Sequence, residues 1–477
     1  MTTVWEPVIG LEIHVQLRTR TKMFCGCELS FGDPPNTHTC PVCLGLPGAL
    51  PVGNERAIHF GLKIGLALGC ELAPRSIFHR KNYFYPDLPK GYQISQYDEP
   101  LCRGGSLGEV RIHRVHLEED AAKLVHVGTS GRIHGADASI VDFNRGGTPL
   151  VEIVTEPDLR SPEQAREWLI LLRETMRQLE VSDVNMEEGS LRCDANVSVR
   201  PAGSAELGTK TELKNMNSFR FVERGIRAEI ARQAERLEAG EEVVQETLHF
   251  DPQSGSITSL RSKEEAHDYR YFPEPDLVPV RVTAAMVEAA RAELPELPAA
   301  RAARYEAELS LSADSARALA FRPQLGRYFE AVLERADGTP AQTVANWVAG
   351  ELASRLGDAD PAASKVEPSA LARLVAMVGE RTVTAGAARQ VLDRLVAEGG
   401  DPAAIVEAEG LGAIGGGDEL ADAVRAAIEA NPDAAEKVRG GKAQAIGPII
   451  GHVMRETRGA AEAGEVTRLV REQLGVT

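Results

Sequence analysis

Residues Val8–Leu17, VIGLEIHVQL, alternate so strictly that the segment reads as a half-buried β-strand. Leu11, Ile13, Val15 and Leu17 fall on one side, and Glu12, His14 and Gln16 on the other. Such a strand needs other elements to cover its apolar side, which commits the chain to a sheet with a core behind it. A Glu and a His two residues apart on the polar side either face water or ligate one metal ion. The run His116-Leu-Glu-Glu-Asp120 repeats the oddity, with three carboxylates and an imidazole set between Val115, Leu117 and Leu124. If extended, it turns His116, Glu118 and Asp120 one way and Glu119 the other. Like charges this close raise one another's pKa unless a cation compensates them. The run alone reads as a solvated acidic strand end; several distant segments of the same kind together suggest a divalent-cation site.

Two further segments join them. Glu152 sits in the apolar run Pro149–Val154, where a carboxylate is costly to bury unless paired or metal-bound. Residues Leu191–Val199, LRCDANVSV, alternate again, with Arg192, Asp194, Asn196 and Ser198 on the polar side. Around these strands, Ala57–Leu68 has helical periodicity. Ser161-Pro-Glu-Gln164 is a capping box opening a helix to about Leu179. Thr209–Leu213 reads as a strand leading into a helix that ends near Gly240. Strands outnumber helices up to about residue 285, which predicts an antiparallel-rich sheet domain whose polar face lines a cleft.

Cys25-Gly-Cys27 and Cys40-Pro-Val-Cys43 are two chelating pairs separated by twelve residues. Four thiolates from two tight turns suit tetrahedral zinc, and a four-thiolate site leaves no open position for catalysis. Cys70, Cys102 and Cys193 read as ordinary buried thiols. In the stretch 78–92, basic residues alternate with aromatics, including Lys81, Tyr83 and Tyr85. It is either an aromatic loop packed on the core or one that holds phosphates while its rings stack on bases. Arg145-Gly-Gly147 is a cationic turn able to approach a phosphate.

From Glu293-Leu-Pro-Glu-Leu-Pro-Ala-Ala onward the composition turns to Ala, Arg, Glu and Leu with helical periodicity. The expected organisation is α+β. A cradle domain (1–290) carries a zinc-binding insertion, an all-α domain covers 291–404, and a small helical tail covers 405–477. The tail carries Lys437, Arg439, Lys442, Arg455 and Arg458 near glycines but no clustered acids. The formal net charge of -17 argues against a broad basic surface, leaving local patches for any nucleic acid. No apolar run reaches the roughly 18 residues of a membrane span, and no signal-peptide pattern is evident, so a cytoplasmic location is expected.

Seven of these runs, VIGLEIHVQL, HRKNYFYPDLPKGYQISQ, HLEEDAAK, DFNRGGTPLVEIVTEPD, MEEGSLRCDANVSVR, KTELKNMNSFRFVERGI and DYRYFPEPDL, resemble the B-subunit family of bacterial aspartyl-/glutamyl-tRNA amidotransferases. The C-terminal GKAQAIGPIIGHVMRETRG is similar to that family's YqeY-like tail. The resemblance implies a ligase that uses ATP and magnesium to phosphorylate the side-chain carboxylate of glutamate or aspartate mischarged on tRNA. Ammonia then forms the amide. It implies an amidase partner, the A subunit, that releases ammonia from glutamine, and a small C subunit. It carries the family's magnesium-site residues onto Glu12, His14, Glu118, Glu119, Glu152 and Asp194, with zinc on Cys25, Cys27, Cys40 and Cys43. Substrate and tRNA contacts are expected at Lys81, Tyr83, Tyr85, Lys442, Arg455 and Arg458. Two rivals are a non-catalytic, zinc-containing RNA-binding scaffold, which would not need the convergent acids, and a metal-dependent hydrolase, which would not need ATP.

Overall fold

The alternating segment forms the middle of a ten-stranded sheet. Its central strands are β1 (Trp5–Gln16), β2 (Val110–Glu119), β3 (Pro149–Thr155) and β4 (Leu191–Pro201). They lie in the order β4-β1-β3-β2, every neighbouring pair antiparallel. Beyond β4 follow β5 (Thr211–Met216), β6 (Glu246–Phe250) and β7 (Ile257–Ser262), with β5 and β6 parallel. The computed structural model describes residues 4–127, 136–262, 269–357, 359–414, 418–457 and 459–476.

Helices α1 (Glu55–Ala67), α2 (Pro162–Gln178) and α3 (Phe219–Glu238) are the longest of the first unit, Met1–Leu297, among its described residues. Each begins at a side chain that takes an otherwise orphaned backbone N–H. Asn54 accepts from Ala57 at 3.2 Å, Ser161 from Gln164 at 3.1 Å and Ser218 from Phe221 at 3.2 Å. Gln164 reaches back to the Arg160 amide at 2.9 Å, one residue earlier than a standard capping box. α3 is the crossover that a parallel β5/β6 pair requires.

The apolar face of β1 supplies the centre of the core. Ile9, Ile13 and Val15 are buried completely, together with Leu117, Val151 and Val197 of the neighbouring strands. Each such side chain contributes about 1.5–3 kcal/mol through burial. Because the side-chain period is two, that packing also fixes which residues reach the opposite face. The strands His79–Asn82 and Tyr92–Ser95 pair as a hairpin with Phe272–Pro273 in a separate small sheet.

The second unit, Pro298–Thr477, is helical among its described residues and holds two hydrophobic clusters. One runs from Ala302 to Leu411, the other from Leu420 to Leu474. Pro298 already opens the helix Pro298–Leu309, so the expected linker is helical at its end. The fold class is therefore α+β, an antiparallel-rich sheet unit followed by an all-helical one. No described helix is long and apolar enough to cross a membrane.

Candidate active site on the polar face of the sheet

The registers of β1, β3, β4 and β2 bring the alternating polar residues into rows. His14 lies opposite both Glu152 and Arg192, Glu152 lies opposite His116, and Glu12 lies opposite Asp194. His14 Nε2 is 3.5 Å from Glu152 Oε2, 3.6 Å from Glu118 Oε1 and 3.9 Å from Glu12 Oε1. His116 Nε2 is 3.5 Å from Glu152 Oε2 and 3.6 Å from Glu118 Oε2. Two groups of potential ligand atoms result, Glu12/His14/Asp194 and His14/Glu118/Glu152, the atoms of each group within 4.8 Å of one another. His14 belongs to both.

The electrostatics fit a site built for a cation. Burial pushes Glu152 up, yet His116, His14 and Arg114 outweigh it and hold the carboxyl well below its usual range. Arg114 Nη2 donates to Glu152 Oε1 at 3.1 Å. Glu118 is held low as well, its burial outweighed chiefly by a hydrogen bond from His116. Glu12 goes the other way, raised by burial and by the Glu152 charge. Burial would lower His14, but its contacts with Glu152, Glu118 and Glu12 raise it to about 9. The proton on His14 thus supplies positive charge that the acids demand, and a metal ion would take its place.

Two cations flank the rows. Lys214 of β5 lies 2.7 Å from Asp194 and 3.4 Å from Glu212. Arg192 Nη2 lies 2.9 Å from Asp120 Oδ2, which also accepts from Gln16 Nε2 at 2.7 Å. Burial would raise Asp120, but the charges of Arg192 and Arg145 keep it low. His14, Lys81, Tyr83, Glu118, Asp120 and Arg192 are among the residues lining a cavity of about 210 Å³ beside the rows. Lys81 Nζ sits 4.7 Å from the centre of the Tyr269 ring, and Tyr83 stacks on Tyr85 at 5.9 Å.

Glu119 is not brought into either group of ligand atoms. It accepts from the Ile94 amide at 3.0 Å and from Lys90. Alternation had already separated it from Glu118 and Asp120. Arg192 stands on the polar side where alternation placed it, whereas Lys214 lies one residue past the expected strand Thr209–Leu213, in a strand that runs on to Met216. His116 was on the polar side of its run and enters the acid row.

The four thiols of Cys25, Cys27, Cys40 and Cys43 form one group, their sulfurs within 4.8 Å of one another. A hydrogen bond from Cys25 is the largest influence on Cys43, and with the Cys40 amide and the Lys22 charge it pushes Cys43 down to about 4. The same bond pushes Cys25 up, so the pair shares a proton that a metal would displace. The donor set, softness and proximity fit a structural zinc ion. Lys22, fully buried, donates to the Phe143 carbonyl at 3.0 Å and lies 3.7 Å from Cys43 Sγ. Gly147, at φ +88°, faces this lysine, and a Cβ there would meet Lys22 Cδ at 3.3 Å. Cys70, Cys102 and Cys193 are free and buried.

In the second unit Lys437, Arg439, Lys442 and Arg455 are exposed. Arg455 lies in the helix Gly447–Glu456. Arg458 lies outside the described residues.

Comparison with known proteins gives two family matches. Residues 7–288 match the GatB/GatE catalytic domain, and residues 327–474 match a GatB domain. A relative from Anaeromyxobacter dehalogenans is 52% identical over 99% of both chains. One from Frankia casuarinae is 53% identical, over 99% of this chain and 96% of its own. One from Moorella thermoacetica is 49% identical, over 98% of this chain and 100% of its own. All three are named as the B subunit of aspartyl/glutamyl-tRNA(Asn/Gln) amidotransferase.

Proposed function

The chain belongs to the GatB family, and from that premise we propose that it activates and amidates the side-chain carboxylate of Glu-tRNA(Gln), Asp-tRNA(Asn) or both. It acts as the B subunit of a ligase that takes its amide nitrogen from glutamine. The family match gives no support to the scaffold reading. The observation that carries the chemistry is the pair of acid–imidazole groups meeting at His14.

In the first step an oxygen of the substrate carboxylate attacks the γ-phosphorus of ATP. An O–P bond forms, the bond from that phosphorus to the β,γ-bridging oxygen breaks, and ADP leaves with the electron pair. In the second step ammonia attacks the acyl carbon, a C–N bond forms, and inorganic phosphate leaves with the pair of the broken C–O bond. The nitrogen gives up a proton to a base, and the product is the amide. Glu12, His14, Glu118, Glu152 and Asp194 would hold magnesium, while Glu119 stays with Lys90. Magnesium, when bound, neutralises phosphate charge as it shifts. The sheet holds these side chains on paired strands, so little reorganisation is needed when charge develops. Lys81 and Tyr83 border the cavity, with Tyr85 stacked on Tyr83, as contacts for the substrate's end, and the basic tail with Lys442, Arg455 and Arg458 contacts tRNA.

The proposed partners are an amidase, the A subunit, and a small C subunit. Glutamine hydrolysis needs an activated nucleophile. Four cysteines are assigned to zinc, and the other three are buried, with thiols that burial pushes up. The test is co-expression with candidate A and C subunits and an assay of Glu-tRNA amidation with ATP and glutamine. Amide formation that requires both ATP and this chain supports the reading; amidation that proceeds without ATP sinks it.

A further inference from the structure

Arg192 lines the cavity beside the acid rows. It precedes Asp194 by two residues on β4 and shares its face, and the register sets it opposite His14. Its Nε is buried with no hydrogen-bond partner. Nη2 forms an ion pair with Asp120 Oδ2 at 2.9 Å, so the open donor is Nε. That carboxylate also accepts from Gln16 at Oδ2, 2.7 Å, and from the Ala121 amide at Oδ1, 2.9 Å, and reaches only the Nη2 side of the guanidinium. A buried donor left unmatched is costly, and a guanidinium cannot escape by losing its proton. The fold thus keeps a permanent, incompletely satisfied fork of donors on the wall of the cavity that His14, Lys81 and Glu118 also line.

The neighbouring cation contrasts with it. Lys214 is engaged by Asp194 and Glu212. A planar guanidinium with an open N–H directs that donor at a phosphoryl oxygen in a fixed geometry, whereas an ammonium approaches only as a point charge. Acids able to take a divalent cation stand beside the fork across one strand pair. Negative charge spread over phosphoryl oxygens would find a metal on one side and a guanidinium on the other.

We propose that Arg192 is a catalytic residue that donates to the oxygens of the phosphoryl group as it passes from the nucleoside triphosphate to the substrate carboxylate. This rests on the reading given above. The O–P bond forms and the bridging O–P bond breaks as already written, and Arg192 gains and loses no proton. Its open Nε–H becomes satisfied only when the phosphoryl group is in place, so the contact favours the transition state over free enzyme.

The experiment uses the assembled complex and compares wild type, Arg192→Ala and Arg192→Lys. ADP release driven by Glu-tRNA is measured with and without added guanidinium ion, and manganese affinity is titrated in parallel. Wild type must release ADP in response to Glu-tRNA; if it does not, the functional reading fails before Arg192 is tested. The expected result is a kcat loss of about 10²–10³-fold in Arg192→Ala. Guanidinium should restore at least tenfold of it, Arg192→Lys should recover only a small part, and manganese affinity should stay within threefold of wild type. Two results overturn the proposal. One is an Arg192→Ala kcat within threefold of wild type. The other is a loss that guanidinium does not relieve and that tracks lost manganese binding, which would make Arg192 merely the partner of Asp120.

Discussion

Glu152 and Lys22 show how single buried charges are placed by their surroundings. Glu152 stays ionised despite burial because two imidazoles and Arg114 surround it. Replacing it with Gln keeps the shape but removes charge from the His14 group, and divalent-cation affinity should fall by about 10–100-fold; a manganese titration reads this directly. Lys22 presents its ammonium to the Cys43 sulfur and to the Phe143 carbonyl. Four thiolates around zinc carry a net negative charge, so Lys22→Met should release zinc to a chelator several-fold faster, while Lys22→Arg releases it at an intermediate rate. Equal release rates for wild type and Lys22→Met would remove the lysine from the metal's surroundings.

The elements explain why so much of the site was legible beforehand. Strict alternation in β1 and β4 fixed the faces, so Glu12, His14, Arg192 and Asp194 were placed on the polar side before any partner was known. Glu152 stood out because a carboxylate inside an apolar strand demands a partner. Register was not legible. That His14 faces Glu152 on one side and Arg192 on the other depends on pairing between segments more than 130 residues apart, which local pattern does not encode. The same gap hid Glu119, whose contact with Lys90 depends on where the hairpin packs. Ile13→Ala opens a void at a fully buried position and should destabilise the first unit by about 2–5 kcal/mol. Chemical denaturation monitored on the first unit measures it. Cys40→Ser should lose zinc and loosen residues 20–50, seen as faster amide exchange there.

For the whole molecule, the two units divide the labour in the proposed reaction. The acids and the thiols stand in Met1–Leu297, and the basic tail stands in Pro298–Thr477. Leu411 belongs to the first helical cluster of the second unit, so a clean deletion of the tail begins after it. Removing residues 412–477 should raise the KM for mischarged tRNA several-fold with a much smaller change in kcat. An unchanged KM would show that the tail makes no productive tRNA contact. The overall charge of -17 makes such local contacts necessary, because the chain as a whole repels phosphate.

The central claim is that the acid–imidazole rows on the sheet carry a divalent cation for phosphorylation of the substrate carboxylate. Its most direct measurement is ATP-dependent amidation of Glu-tRNA by the assembled complex carrying Glu152→Gln, followed as magnesium is lowered. Amidation by the variant should collapse at magnesium concentrations that still saturate wild type, and recover in part when magnesium is raised. Full amidation by Glu152→Gln at limiting magnesium would contradict it.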